Sequence, residues 1–258
     1  MIFAFSLFVL MFTRPIADGP SIRESYLLHI AKGDEFYHSF DNDRALAEYE
    51  RAYAIAADSF ATLERLTSIY NDFGRLHLRK DTSAEFFYKK AFAYADSLKN
   101  RFPDRAESHF WLALCEGSLI PFLGTREKIH TAHEVQREAS RAIEIDSGFA
   151  QAYVILGIFQ REASNISWFE RMIANVVFGT NFSGSLSVSE TLLRKSVALN
   201  PSNSYGYYEL YWTYRAMNDS THAIQSLRTL LTIAPTNARE QLQWDEAKKQ
   251  LTLSGGKP

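Results

Sequence analysis

A single cysteine, Cys115, stands in the whole chain, which excludes an internal disulfide and a paired zinc–cysteine site and leaves the redox compartment open. Glycine and proline are sparse, twelve and seven in 258 residues, and long stretches carry neither, so helices are expected rather than turn-rich sheets. Neither sign of charge dominates. With a formal net charge of -2 the chain lacks the basic footprint of a nucleic-acid binder, and no nucleic-acid partner is expected. The one long hydrophobic run, residues 2–12, has the length of a signal-peptide core and falls short of the roughly 20 residues that span a bilayer. Residues 1–17 therefore read as a signal peptide or hydrophobic anchor, although no Lys or Arg precedes the run and Pro15-Ile16-Ala17 is a weak cleavage site. A short buried helix is the other reading. The first predicts an exported chain, periplasmic or secreted, or a membrane-anchored one held by residues 2–12, in preference to a cytoplasmic one.

What the chain does have is 46% hydrophobic and 22% charged residues, the composition of an ordinary folded protein. Small, aromatic and proline residues recur in it at a fixed spacing. Counting Ser204 as position 1, Tyr207, Leu210 and Tyr214 take positions 4, 7 and 11, Ala223 position 20, Leu227 and Leu230 positions 24 and 27, and Pro235 position 32. This pattern resembles the tetratricopeptide repeat (TPR), in which a small residue lets two helices approach, bulky ones fill between them and proline ends the second. From Tyr26 the same register places Gly33, Phe36, Ala45, Tyr49 and Ala52. From Phe60 it places Leu63, Leu66 and Tyr70, then Ala84, Tyr88 and Ala91 after about five extra residues in a basic turn, residues 74–80. A third unit opens near Ala106, and a fourth at Ala150 with Gly157 at position 8 and Ser189 about twenty residues late, ahead of Pro201.

The expected fold is all-α: a TPR-like α-solenoid of about five helix-turn-helix repeats over residues 26–252, with an inserted amphipathic helix near 167–178 and a C-terminal capping helix. Residues 18–25 read as a linker and 253–258 as a frayed tail. Gly33, Ala45, Ala52, Ala84, Ala91, Gly157, Ser189 and Ala223, with Pro201 and Pro235, are the repeat-packing positions.

A narrower resemblance sits in residues 110–117 (FWLALCEG), residues 166–179 (ISWFERMIANVVFG) and residues 193–201 (LRKSVALNP). In this order they are similar to segments of the regulator of microtubule dynamics family. That resemblance implies a TPR-like helical domain without catalytic residues or cofactor, often behind an N-terminal hydrophobic segment. A microtubule-associated role, as in animal members, is what it implies for function.

No nucleophile-elbow, Walker or dinucleotide glycine pattern occurs, and Cys115 lies in an apolar helix where its thiol is inert. His130, His133 and Glu134 form an H-x-x-H-E lacking a third ligand and off the zincin spacing, so a solvated helix face is the plainer account. Asp41, Asp43, Glu48 and Glu50 flank a turn, as capping and solubility require. Non-enzymatic protein binding is the expectation, with a protein or peptide partner, no metal, no cofactor and a monomeric chain. In TPR-like stacks the first helices line a concave groove. The positions facing it are Tyr205, Tyr208, Trp212 and Arg215 in the last unit and Val154, Ile158 and Arg161 in the fourth. Aromatics and arginine anchor binding hot spots, so these residues are read as the groove, with burial in the core as the alternative. The inserted helix is expected to pack on the concave side.

Overall fold

Short polar side chains in front of the helices fix where many of them begin. Ser21 and Glu24 form a reciprocal capping box, and Asp41, Ser185, Asn203, Asp219 and Asn237 each accept a hydrogen bond from a backbone N–H in the first turn of the helix that follows. In a computed structural model that describes residues 21–78, 83–165 and 183–254, these starts give eleven α-helices and no strand among the described residues. The expectations for residues 1–17 and for the helix near 167–178 lie outside the described residues. So do Arg79, Lys80 and most of the tail. No described helix is long and apolar enough to cross a membrane.

The helices are α1 Ile22–His38, α2 Asn42–Ile55, α3 Phe60–His77, α4 Ala84–Arg101, α5 Ala106–Leu119, α6 Thr125–Ile145, α7 Ala150–Ser164, α8 Leu186–Leu199, α9 Ser204–Ala216, α10 Ser220–Leu231 and α11 Ala238–Leu253. They pack as five pairs, α1 with α2 through α9 with α10, and α11 follows alone. This is the TPR-like α-solenoid. Helix α1 starts four residues ahead of the repeat register, because Ser21 supplies a cap that the reading of residues 18–25 as linker did not use.

Between paired helices the small positions behave as the register demands. Ala45, Ala52, Ala84, Ala91 and Ala223 are buried, and Ser189 is buried with its hydroxyl donating to the Gly157 carbonyl at 2.8 Å. A Cβ on Gly33 would stand 2.3 Å from the Tyr49 ring and one on Gly157 2.6 Å from Leu193 Cγ, so each glycine is the space its partner fills. Pro201 follows the end of α8 and Pro235 that of α10, where neither interrupts a ladder.

The second unit departs from the expected turn. Gly74, Arg75, Leu76 and His77 are helical and extend α3, and Gly74 is buried with its Cα against the Tyr88 ring. The extra residues thus lengthen both helices of that pair before the chain turns. Leu63, Leu66 and Ile69 are fully buried on α3, each worth roughly 1.5–3 kcal/mol of transfer free energy.

The first helices of successive units touch one another in the order α3, α5, α7, α9, and α11 packs on α9 and returns to α3. The inner helices therefore close on themselves. Arg239 of α11 meets Asp72 of α3, and His38 Nδ1 donates to the Thr236 carbonyl at 3.2 Å. This contact brings the two ends of the row of inner helices together around the concave side.

Candidate concave binding site

Two adjoining cavities occupy the concave side and share Arg75, Arg161, Glu162 and Glu209 in their walls. One, of about 760 Å³, is polar and adds Asn165, Tyr208, Trp212 and Arg215. The other, of about 510 Å³, is an apolar chamber walled by Leu114, Ile129, Ile155, Ile158, Phe159 and Tyr205, with Lys128 at its edge. Together the walls carry four cationic side chains (Arg75, Lys128, Arg161, Arg215) against two carboxylates (Glu162, Glu209). This lies in a chain whose formal net charge is -2.

Helix α9 supplies the aromatic wall because Tyr205, Tyr208 and Trp212 recur three and four residues apart and so share one face. The Tyr208 and Trp212 rings meet edge to face with centroids 6.1 Å apart, and Tyr211 holds the other side of Trp212 at 4.9 Å. Tyr211 is itself anchored by its hydroxyl, which donates to Gln250 Oε1 at 3.1 Å on α11. Tyr208 is largely buried, Trp212 half-buried and Arg215 exposed, so groove and core are not alternatives here: one aromatic row serves both.

Of the residues expected in the groove, one stands elsewhere and one is already engaged. Val154 is fully buried in the core with Leu193 and Tyr211, because α8 and α9 close over that face of α7. Arg161 borders both cavities, yet its guanidinium is already held: Nη2 donates to Glu209 Oε2 at 2.8 Å, Nη1 to the Glu209 carbonyl at 3.1 Å and Nε to Glu162 Oε1 at 3.1 Å. Burial alone would lower its pKa, but Glu209 and Glu162 raise it, so it is an internal cation. Ile158 lies in the chamber wall.

Arg75 and Glu209 line both cavities and lie outside the groove positions read from the repeat register. The signal for Glu209 was its being the only charge in the first eleven residues of an aromatic helix, where an acid that turns inward needs a partner. Arg75 falls in the stretch read as a basic turn, but the extended α3 carries it into the wall between the cavities, half-buried. Among the described residues no hydrogen bond or ion pair reaches its guanidinium. Burial works against its charge, whereas Tyr205, Tyr208 and Glu209 raise its pKa above the ordinary arginine value.

The acidic and histidine candidates have structural partners. Asp41 caps α2, Glu48 is bound to His29 Nδ1 at 2.6 Å, and Glu50 accepts from the Tyr70 hydroxyl at 2.9 Å. Burial and the adjacent Glu116 push the Cys115 thiol well above its usual range. His130 and His133 lie along α6, where His133 Nδ1 is 3.9 Å from Glu134. Among the described residues no group of three His, Cys, Asp or Glu side chains could hold a metal ion.

With this geometry in place, the comparisons with known proteins agree with one another. A family model described as Regulator of microtubule dynamics protein 1-3 matches residues 29–255. The chain belongs to this family. A relative from Bos taurus, regulator of microtubule dynamics protein 1, is 24% identical over 151 residues, covering 58% of this chain and 47% of the relative. Regulator of microtubule dynamics protein 3 from Mus musculus is 23% identical over 217 residues, 80% and 44% of the two chains. The chain spans about half the length of such curated relatives. Among solved structures, a thermophilic TPR protein of Thermus thermophilus superposes with a TM-score of 0.62 at 15% identity, covering 86% of this chain and 98% of that one. A tetratricopeptide repeat protein of Parabacteroides merdae gives 0.53 at 14% identity, over 88% and 72%. These likenesses show the TPR fold.

Proposed function

We propose that the protein is a non-enzymatic scaffold that takes a short segment of a partner protein into its concave cavities. The observation that carries this reading is Tyr208 and Trp212 beside the exposed Arg215 on a cavity of about 760 Å³, with Tyr205 of the same helix in the wall of the adjoining apolar chamber. Rigid aromatics and arginine give contact energy at little entropic cost, and α9 holds them on a fixed surface. The non-enzymatic part is supported by the acids and histidines outside the cavities, which serve caps and internal pairs. Attachment or export through residues 2–12 is compatible with a monomeric domain of this kind and is tested by detergent- and salt-dependent fractionation of the full chain.

The test of binding is a quantitative pull-down comparing the parent with Trp212→Ala/Arg215→Ala. A partner captured by the parent should bind the double variant with an affinity lower by roughly 1–3 kcal/mol per residue. Parental affinity in a folded double variant would place the contact surface elsewhere. A microtubule-associated role is the second reading, favoured by the family names of the relatives. Co-sedimentation of the chain with polymerised tubulin decides it.

A further inference from the structure

We propose that Arg75 is the anion-binding residue of this site, and that the bound segment carries an aspartate or glutamate next to an apolar side chain. The acid would take the Arg75 guanidinium while its neighbour fills the chamber lined by Leu114, Ile129 and Ile158. The assignment rests on the peptide-binding reading above and names the chemistry of the segment.

Five observations support it. Arg75 is half-buried and, among the described residues, forms no hydrogen bond or ion pair, so its guanidinium donors are open to an anionic ligand. Glu209, whose charge raises the Arg75 pKa, is itself bound by Arg161 at 2.8 Å. Arg75 also stands where the polar cavity meets the apolar chamber, so a ligand that uses both must present its anion and its apolar group side by side. The walls carry an excess of two positive charges, which a net-neutral occupant would leave uncompensated. Finally, Asn165 and Glu162 present acceptors to the polar cavity, which peptide N–H groups match and a hydrocarbon chain does not.

The proposal predicts an asymmetry between stability and binding. Arg75→Gln breaks no hydrogen bond or ion pair among the described residues and keeps most of the side-chain stem, so it should melt close to the parent temperature. Binding should fall.

The experiment is selection of a random heptapeptide phage library against the immobilised full chain, its Arg75→Gln variant and its Trp212→Ala variant. Selection on the parent should enrich an acidic residue beside an aliphatic or aromatic one, and selection on Arg75→Gln should keep the apolar preference and lose the acidic one. The strongest peptide, synthesised with its acid and with the matching amide, should bind the parent at least about tenfold more tightly in the acid form. That ratio should collapse toward one on Arg75→Gln and be partly restored by Arg75→Lys. Peptides that depend on Trp212 but show no acidic preference overturn the assignment of Arg75 and leave the binding reading standing. No Trp212-dependent peptide defeats that reading itself. An anionic amphiphile that copurifies with the parent, and not with Arg75→Gln, overturns the peptide as occupant.

Discussion

Arg239, in the first turn of α11, places its Nε 3.5 Å from Asp72 Oδ1, deep in α3, and the pair joins the C-terminal helix to the second repeat. Asp72 is fully buried, its Oδ2 accepts from the Tyr37 hydroxyl at 2.7 Å, and no hydrogen bond reaches Oδ1. Burial pushes the carboxyl pKa up, and Arg239 and Tyr37 pull it back. Truncating one member strands the other away from water. Arg239→Ala should therefore cost about 3 kcal/mol in urea unfolding, and much less in an Asp72→Asn background, where no charge is stranded. Equal costs in both backgrounds would show that the pair is not coupled.

Arg161 and Arg215 border the same cavity and should respond oppositely to truncation. Arg161→Ala leaves the Glu209 carboxylate buried without its cation and should lower stability by about 3 kcal/mol. Arg215→Ala removes an exposed side chain and should stay within about 0.5 kcal/mol of the parent. Denaturant melts of the two variants side by side check this, and a reversed order would contradict the internal role of Arg161.

The glycines divide by what a methyl group would meet. Gly33→Ala drives a Cβ to 2.3 Å from the Tyr49 ring and should destabilise by roughly 1–3 kcal/mol. At Gly117 the nearest atom is Val135 Cγ2 at 3.9 Å, so Gly117→Ala should be neutral or stabilising by up to about 1 kcal/mol through helix propensity. Thermal melts that fail to separate the two would refute the packing register.

Glu116 gives the chain a pH dependence of definite sign. Its Oε2 is buried without a hydrogen bond, and burial, then the carboxylates of Glu134 and Glu138, push its pKa from the ordinary 4.5 up to about 8, against the pull of Arg137 and Lys99. Between these values the unfolded chain has released the proton that the folded chain still holds, so this group lowers stability as pH rises from 4.5 to about 8. Glu116→Gln keeps the shape of the neutral acid and removes the effect. Its Tm should exceed that of the parent by at least about 2 °C at pH 8.5 and match it near pH 4.5. A pH-independent difference would rule out titration of Glu116 as the cause.

The helices, their pairing and the small positions Gly33, Ala45, Gly157, Ser189 and Ala223 were legible in the sequence because they follow from contacts within one repeat. A small residue and its bulky partner sit about sixteen positions apart in the register, as Gly33 and Tyr49 do, so spacing alone reports the contact. The family was legible for a similar reason, since its segments are local. The site was legible only in part. That α9 presents Tyr205, Tyr208 and Trp212 on one face follows from helical period, whereas the binding of Arg161 by Glu209, 48 residues away, does not. Nor does sequence tell that Arg75 continues a helix into the concave wall, or that Arg239 finds Asp72 across 167 positions and closes the ring of inner helices. Those facts depend on the curvature accumulated over several repeats, which sums small rotations between helix pairs and leaves no periodic mark in any one of them.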